Sequence, residues 1–205
     1  MRSRDTTAEL SAEQIKIADA GIKAMIPIGR PFLDYAISAL ADAGITQVCL
    51  VIGPGPEHEA IRKHYRSVAP RRVTIDFTIQ QEPLGTANAV LAAEEFANGD
   101  HFLALNSDNY YPVEVLRALR EAGGAAIAAF ERKTLVRESN FGAERVRQYA
   151  VLKIEDGYLT KIVEKPAQRA DGEVFISMNG WAFGPKIFGA CRSIGRSLRG
   201  EFEIA

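Results

Sequence analysis

The sequence has few of the residues that mark several protein classes. Its 205 residues include two cysteines, three histidines and one tryptophan, too few for a disulfide framework or a cysteine- and histidine-rich metal centre. Cys49 and Cys191 are far apart in apolar surroundings, which favours a reducing, cytoplasmic setting. The sequence contains no apolar run of roughly 18 residues, the length that would predict a membrane span. The opening MRSRDTTAEL lacks the apolar core of a signal peptide.

An excess of one charge is also missing. The 25 lysines and arginines are balanced by 26 acidic residues, giving a net charge of -1, so nothing indicates nucleic acid as a partner. No G-x-G-x-x-G follows a predicted strand, which excludes a dinucleotide-binding enzyme of that type. With 47% hydrophobic and 25% charged residues, the chain has the composition of a globular domain with one core.

Apolar periodicity predicts alternating strands and helices in the first two thirds of the chain. A continuous β-branched run at 47–53 is typical of a strand buried on both faces. Between residues 47 and 131 strands and helices alternate, with predicted strands at 47–53, 73–80, 101–108 and 125–131 and helices at 57–65, 86–97 and 112–123. Short connections between such elements predict a mostly parallel sheet with helices on both faces.

The two ends of the chain have other patterns. Ser11 with Gln14 three residues later is a capping-box spacing, which predicts a short helix before Gly21. A second helix is expected at 31–44. After residue 149 the pattern is of strands joined by turns, with Asp156-Gly157 a hairpin signal and a helical tail from Pro185.

Four segments carry residues suited to phosphate chemistry. In QQEPLGTANAV a strand ends at Gln80, Gly85 permits close backbone approach, and a helix begins near Thr86, where free N–H groups and the positive helix end favour a ligand. In LNSDNYYP, Asp108 follows a strand end, where one carboxylate with water and phosphate oxygens suits Mg²⁺. An ordinary corner and a turn aspartate are the alternatives for these two.

The other two segments each contribute a lysine. IVEKP ends a predicted strand on Glu164-Lys165, where the lysine is either an exposed edge charge or a point charge for a phosphate. Lys23 precedes the apolar segment AMIPI, and this lysine by itself indicates no function. The four segments are more informative as an ordered set than singly.

The set resembles the sugar-1-phosphate nucleotidyltransferases, which make nucleotide sugars from a nucleoside triphosphate and a sugar 1-phosphate. The residues that carry the resemblance are KAMIPIGRPFLDYAISALADAGITQVCLVIG, EPLGTANAV, LNSDNYYP, IVEKP, SMNGWAFGPKIF and GEFEIA, which span nearly everything from Lys23 to Ala205. The resemblance implies a Rossmann-like, three-layer α/β/α domain of GT-A type, occupying residues 1–205 as a single unit.

The resemblance also implies roles for individual residues. Lys23 would touch the triphosphate, Asp108 would bind Mg²⁺, and Lys165 would hold the sugar phosphate. Nucleotide recognition would fall to Gln80, Gly85 and Thr86, and sugar recognition to Glu164, Asn179 and Gly180. The implied reaction is attack of a sugar-phosphate oxygen on the α-phosphate, with pyrophosphate leaving, which depends on positioning and charge neutralisation.

The sequence departs from the family pattern at its ends. No strand with a glycine-rich G-x-G-x-R loop precedes Lys23, and GEFEIA ends before the segment in which many members place a second metal-binding aspartate. Ala150 and Ser107 stand where glycines are common. We therefore expect a domain truncated at both ends, or a start site assigned too late, and we expect these residues alone to bind nucleotide weakly without measurable turnover.

Several functional alternatives stay open. EPLGTANAV is most similar to the uridylyl and thymidylyl branches, with mannose-1-phosphate guanylyl transfer as an alternative. A non-catalytic regulatory paralogue, or an inactive fragment, would explain the missing loop but not the retained Lys23, Asp108 and Lys165. A metal-dependent glycosyltransferase would share the fold but not VEKP. The sequence leaves the base, the sugar and a homo-oligomeric state open.

Overall fold

The computed structural model describes residues 11–164, 174–197 and 200–204, and the structural statements below concern these residues. Its helices are α1 Ala12–Asp19, α2 Phe32–Asp42, α3 Glu59–Val68, α4 Thr86–Ala92, α5 Glu94–Ala97, α6 Val113–Glu121, α7 Arg132–Glu138, α8 Ala143–Val146 and α9 Lys186–Ser193. Its strands are β1 Pro27–Ile28, β2 Arg30–Pro31, β3 Gln47–Ile52, β4 Thr74–Ile79, β5 Phe102–Leu105, β6 Ala126–Glu131, β7 Val151–Glu155, β8 Tyr158–Val163 and β9 Phe175–Phe183. Two 3₁₀ turns, Lys23–Met25 and Pro56–His58, complete the set.

Local sequence signals account for several element boundaries. The capping box predicted for α1 is present, with the Gln14 N–H donating to Ser11 Oγ at 3.3 Å and the Ser11 N–H to Gln14 Oε1 at 2.9 Å. Asp156 and Gly157 have φ of 50° and 80°, the left-handed pair that a two-residue hairpin between β7 and β8 needs. The single helix expected at 86–97 is interrupted at Ala93 and forms α4 and α5 instead.

The described strands form one parallel pair, one short antiparallel pair of β1 with β2, and one five-stranded sheet in which all neighbours are antiparallel. β3 and β4 pair in parallel from Gln47↔Thr74 to Ile52↔Ile79. In the larger sheet β5, β6 and β7 all pair antiparallel to β9, and β8 pairs with β7. β5 and β6 therefore point in the same direction, as an alternating β/α chain requires, but β9 lies between them. The fold is α/β and Rossmann-like, with a parallel and an antiparallel part.

One edge of β9 is shared by two strands. β6 pairs with β9 at residues 175–177 and 181–182, with a register shift between the two stretches, so β5 and β7 must both lie on the opposite edge. On that edge β5 pairs with residues 180–183 and β7 with residues 175–176. Residues 177–179 thus lie opposite a gap between β5 and β7, where neither of these two strands pairs with β9.

The strand at 47–53 is less buried than its sequence predicts. In β3 only Ile52 is buried; Gln47 is exposed and the residues between them are half-buried. Among the described residues β3 pairs only with β4, and β5 only with β9. A strand with one neighbour keeps an open edge, so the apolar run of β3 is not enclosed as a central strand would be.

Helix α2 joins the two sheets. Its residues Leu33 and Ile37 belong to an apolar cluster with β3, β4 and α3, whereas Ala39 and Ala43 belong to a second cluster with α6 and β9. Arg120 of α6 donates to the Ala43 carbonyl at 3.1 Å, which ties α6 to the end of α2. Within the described ranges, no helix has the length and hydropathy needed to cross a bilayer.

Candidate functional site

The loop that follows β4 is closed by the side chain of Gln80. Gln80 Nε2 donates to the Gly85 carbonyl at 3.0 Å and to Asn88 Oδ1 at 2.9 Å. The Gln80 N–H donates to the Ile52 carbonyl at 2.8 Å and thereby extends the β3–β4 pairing by one step. The structure therefore brings Gln80, Gly85 and the start of α4 together, as the sequence predicts for a nucleotide loop.

The start of α4 is not free, however, because the chain's own C-terminal segment lies against it. The Ala87 N–H donates to the Phe202 carbonyl at 2.9 Å, and the Phe202 N–H donates to the Leu84 carbonyl at 2.7 Å. Thr86 Oγ1 accepts from the Ile204 N–H at 3.0 Å. The sequence predicts free N–H groups at this helix end. For Ala87 that prediction is wrong, because its N–H has a partner within the chain.

Gly85 also has a structural reason to be glycine. Its φ of +106° is in a region that L side chains rarely adopt. A Cβ at Gly85 would lie 2.6 Å from the Phe202 oxygen. The close approach predicted at Gly85 is therefore an approach to Phe202 of the same chain.

Asp108 lies exposed in the loop after β5, at the end of the strand, as predicted. Among the described residues none forms a hydrogen bond or ion pair with its carboxylate. Its charge is nonetheless close enough to Tyr111 and Tyr149 to raise the pKa of both phenols, although burial is the larger cause in each case. Asp108 is thus an open carboxylate beside a buried aromatic layer.

Two side chains of the Asp108 loop hold it to the gap in β9. Tyr111 Oη donates to the Met178 carbonyl at 2.6 Å, and Asn109 Nδ2 donates to the same oxygen at 2.9 Å. Tyr111 is 4% exposed, and burial raises its pKa to about 12, against smaller lowering effects of Asn109 and the Asn106 backbone. One carbonyl of β9 therefore anchors the loop twice.

The same gap contains the predicted sugar residue Asn179. Asn179 has φ of +58°, a left-handed conformation that asparagine tolerates better than most residues. Its N–H donates to Ser177 Oγ at 3.1 Å. Gly180 is buried, and a Cβ there would lie 3.0 Å from Tyr111 Cε1. Gly180 thus makes room for the Tyr111 ring and supports the loop that carries Asp108.

The strand register places Glu164 at the same end of the sheet. Val163 of β8 pairs with Val151 of β7, which pairs with Ile176 of β9. Glu164 therefore follows directly after a row of paired residues that runs from β8 across β7 to β9 and ends next to the gap. Beside this row the Ser177 N–H donates to the Ala150 carbonyl at 2.9 Å. Glu164 is exposed.

The two lysines are less well placed by the structure. Lys23 is exposed in the 3₁₀ turn that packs against α1 and α2. Among the described residues, no hydrogen bond joins its side chain to the loop of Gln80 and Gly85 or to the loop of Asp108. Lys165 lies outside the described residues.

The carboxylates near Asp108 determine how a Mg²⁺ ion could be held. The described residues contain no group of three or more histidine, cysteine, aspartate or glutamate side chains that could enclose a metal. Mg²⁺ is usually held by one or two carboxylates, with waters and substrate phosphates as its other ligands. The open carboxylate of Asp108 fits that mode and does not fit a metal held by protein ligands alone.

Sequence reasoning missed the supporting residues rather than the exposed ones. Asn109, Tyr111 and Phe202 carry no predicted role of their own. The neighbours Tyr110 and Tyr111 look alike in the sequence, yet only Tyr111 is buried. The glycine at position 180, where a Cβ would lie 3.0 Å from Tyr111 Cε1, is the one local feature consistent with a large neighbour. The contact between Phe202 and Gly85 joins residues far apart in sequence, which no local pattern reveals.

Comparison with known proteins connects this geometry to a family. The sequence model of the family described as nucleotidyl transferase matches residues 17–205. The low-salt glycan biosynthesis nucleotidyltransferase Agl11 of Haloferax volcanii is 30% identical over 194 residues, which cover 92% of this chain and 50% of that protein. The UTP–glucose-1-phosphate uridylyltransferase AglF of the same organism is 32% identical over 188 residues, covering 89% of this chain and 72% of that protein.

A solved structure supports the fold. A UDP-glucose pyrophosphorylase complexed with UDP-glucose matches with a TM-score of 0.70 at 18% identity, covering 89% of this chain and 75% of that one. At this identity the likeness concerns the fold alone. The chain spans about half the length of Agl11. Since the family's sequence model covers most of the residues, including Lys23, Gln80, Asp108 and Asn179, the chain belongs to the nucleotidyl transferase family.

Proposed function

We propose that the protein transfers a nucleotidyl group from a nucleoside triphosphate, with UTP or dTTP favoured, to a hexose 1-phosphate, releasing pyrophosphate. The observation that carries the proposal is the position of Asp108, an open carboxylate held by Asn109 and Tyr111 beside Asn179 at the gap in β9. A metal-binding carboxylate next to a polar strand segment is suited to a phosphate ester attached to a sugar.

The orientation of Gln80 supports a particular class of base. Gln80 Nε2 donates its two protons to Gly85 and Asn88, so Oε1, an acceptor only, is the atom left for a ligand. Uracil, thymine and guanine each have a ring N–H that can donate to such an oxygen. Adenine and cytosine can donate to it only through an exocyclic amino group, next to a ring nitrogen that accepts and finds no donor on Oε1. We therefore favour UTP, dTTP or GTP over ATP and CTP.

The phosphates would be held by separate residues. Lys23 is proposed to contact the triphosphate, and Asp108 would hold Mg²⁺ together with phosphate oxygens. The bound cation would neutralise charge on the phosphates as pyrophosphate leaves. Asp108 itself moves no proton in this scheme. Its role is to supply a carboxylate ligand for the cation where both substrates meet.

The sugar 1-phosphate would lie along the gap in β9. Asn179 presents an amide there, and Glu164 an exposed carboxylate, both of which can hydrogen-bond sugar hydroxyls. Lys165, the residue after Glu164, is proposed to contact the sugar phosphate. Gly180 would act through the Tyr111 ring rather than by touching the sugar. The reaction then depends on in-line positioning of an oxygen that is already anionic, which needs no general base.

Nuclear magnetic resonance titration of the ¹⁵N-labelled chain tests the proposal, since it detects weak binding at single residues. With Mg²⁺ present, UTP, dTTP and GTP are expected to shift the Gln80 side-chain amide and the Gly85 backbone amide, whereas ATP and CTP shift them less. Glucose 1-phosphate or mannose 1-phosphate is expected to shift Asn179 and Glu164. Absence of shifts at both groups with millimolar ligands would contradict the proposal, and a preference for GTP with mannose 1-phosphate would select the guanylyl alternative.

A lysine variant separates the two substrates. Lys165→Ala is expected to weaken binding of glucose 1-phosphate while leaving UTP binding without sugar unchanged, because Lys165 follows the sugar-side strand. Lys161→Ala, on the exposed part of β8, is the matched control for loss of one positive charge. An equal loss of UTP affinity in Lys165→Ala would show that this lysine belongs to the nucleotide side. Pyrophosphate release with both substrates measures the enzymatic reaction directly.

A further inference from the structure

The C-terminal segment Glu201–Ile204, here called the clasp, contacts the nucleotide loop through the backbone of Phe202 and Ile204. Phe202 donates to the Leu84 carbonyl and accepts from the Ala87 N–H, at 2.7 and 2.9 Å. Ile204 donates to Thr86 Oγ1 at 3.0 Å. These contacts lie on both sides of Gly85, so the clasp holds the peptide group before Gly85, the Thr86 side chain and the peptide group between Thr86 and Ala87.

The clasp is itself anchored to the rest of the chain. The Ser197 N–H donates to the Glu201 carbonyl at 2.7 Å, and Arg196 Nη1 donates to the Gly200 carbonyl at 3.1 Å. The Arg196 guanidinium lies 5.1 Å from the centre of the Phe202 ring. α9, which precedes this region, packs against α4. The clasp therefore connects the end of β9, through α9, to the nucleotide loop.

The contact reaches Gln80 in one further step. The Gly85 carbonyl accepts from Gln80 Nε2 at 3.0 Å, and the direction of that carbonyl depends on the unusual backbone angles of Gly85, φ 106° and ψ -177°. Packing of Phe202 against Gly85 holds those angles, because the Phe202 oxygen occupies the place of a side chain at Gly85. A shift of the clasp would turn the Gly85 carbonyl and release the Gln80 amide.

We infer that Phe202 and the clasp are positioning elements for base recognition, acting on the ligand only through Gly85 and Gln80. The inference rests on the proposed function for its ligand, a nucleoside triphosphate. The contacts with the nucleotide loop are made by the backbone of Phe202, whereas its ring contacts Arg196. The distinction between backbone and side chain gives a matched pair of variants.

Phe202→Pro removes the N–H that donates to Leu84, whereas Phe202→Ala removes the ring and keeps the N–H. Losing one hydrogen bond of this kind corresponds to a roughly two- to tenfold weaker equilibrium. We expect Phe202→Pro to raise the dissociation constant for Mg²⁺-UTP by that factor relative to Phe202→Ala, with the dissociation constant for glucose 1-phosphate unchanged. Ile204→Pro, compared with Ile204→Ala, removes the donor to Thr86 and gives a second pair if Phe202→Pro fails to fold.

Two readouts keep this inference separate from the proposed function. Hydrogen exchange at the Ala87 amide and the Gln80 side-chain amide, measured without ligand, is expected to be faster in each proline variant than in its alanine partner. Equal exchange within both pairs, or equal loss of affinity for UTP and glucose 1-phosphate, overturns the inference. If the wild-type chain binds no nucleotide, the proposed function fails, while the exchange comparison still decides whether the clasp fixes the loop.

Discussion

The hydroxyl of Tyr111 offers the sharpest test of how the Asp108 loop is held. Tyr111→Phe removes one oxygen, the donor to the Met178 carbonyl at 2.6 Å, and leaves the buried ring against Gly180. The Met178 carbonyl keeps its second donor, Asn109 Nδ2 at 2.9 Å. No buried acceptor is therefore left without a partner. The Tyr111 hydroxyl also accepts from Asn109 Nδ2 at the longer distance of 3.3 Å, so the substitution removes one short hydrogen bond and one long one.

The expected loss of stability follows from this geometry. A net contribution of about 1 kcal/mol is typical for one intramolecular hydrogen bond, and the retained Asn109 bond prevents the larger penalty of an orphaned carbonyl. For a chain of 205 residues such a change lowers the unfolding midpoint by roughly 2–4 °C. The loop carrying Asp108 would then have one anchor instead of two, and its position beside Asn179 would become less defined.

Tyr65→Phe is the matched control. Tyr65 is also 4% exposed, and its hydroxyl donates to Asp34 Oδ1 at 2.9 Å, where His64 also contacts that oxygen. It belongs to the apolar cluster of β3, β4 and α3, apart from Asp108. Thermal unfolding of both variants, followed by circular dichroism, should show that each loses stability.

Ligand binding then separates the two variants. Tyr111→Phe is expected to weaken glucose 1-phosphate binding by roughly two- to tenfold, the equivalent of one hydrogen bond, and to shift the Asp108 and Asn179 amides. Tyr65→Phe should leave both unchanged. If the two variants weaken binding equally, or if Tyr111→Phe loses stability without any effect on ligand, the Tyr111 bond does not position the Asp108 loop and the reasoning is refuted.

Three further predictions concern the same residues and one thiol. Asp108→Asn should keep the fold but abolish the Mg²⁺ dependence of UTP binding; a variant with unchanged Mg²⁺ dependence contradicts the metal role. Gly180→Ala should lower the unfolding midpoint because its Cβ would lie 3.0 Å from Tyr111 Cε1, and an unaltered midpoint would show that the ring gives way. Burial and the nearby Asp76 charge raise the pKa of Cys49 to about 11, so alkylation of this thiol at pH 8, followed by mass spectrometry, should be roughly 100-fold slower than for a thiol of ordinary pKa; a rate near that of free cysteine would contradict it.

Alkaline unfolding adds a check on the burial of Tyr111. The pKa of Tyr111 is about 12 in the folded chain against 10.0 for the free phenol. Since the unfolded state loses its proton first, the contribution of Tyr111 to stability is full below about pH 10 and decreases as the pH rises towards 12. Burial raises the pKa of Tyr65 as well, so both tyrosines share this direction, and Tyr111→Phe should make the decrease less steep.

Most helices and most strands could be predicted from local patterns. The capping box of α1, the apolar periodicity of α2 and the Asp156-Gly157 turn are each determined by neighbouring residues, and the structure confirms them. The pairing of strands could not be predicted in the same way. β9 is inserted between β5 and β6 by contacts between residues distant in sequence, and alternation of strands and helices indicates direction but not neighbours.

The two unpredicted helices show the same limit. Residues 132–146 carry no clear periodicity, yet they form α7 and α8. Glu131 caps α7 by accepting from the N–H groups of Lys133 and Thr134, which lowers the pKa of its carboxyl. A glutamate at a cap is less common than serine, threonine, aspartate or asparagine, so the signal is easily overlooked.

Two glycines belong to the predicted site. Gly85 is predicted to meet a ligand because glycine allows another group to come close to the backbone, whereas the sugar role of Gly180 is implied by the family resemblance. In each case the group that comes close belongs to the chain itself, Phe202 at one glycine and Tyr111 at the other. Loss of binding in Gly85→Ala or Gly180→Ala would therefore not identify a ligand contact. Only substitutions that leave both glycines in place and change their partners, such as Tyr111→Phe and Phe202→Pro, can separate support of the site from contact with the substrate.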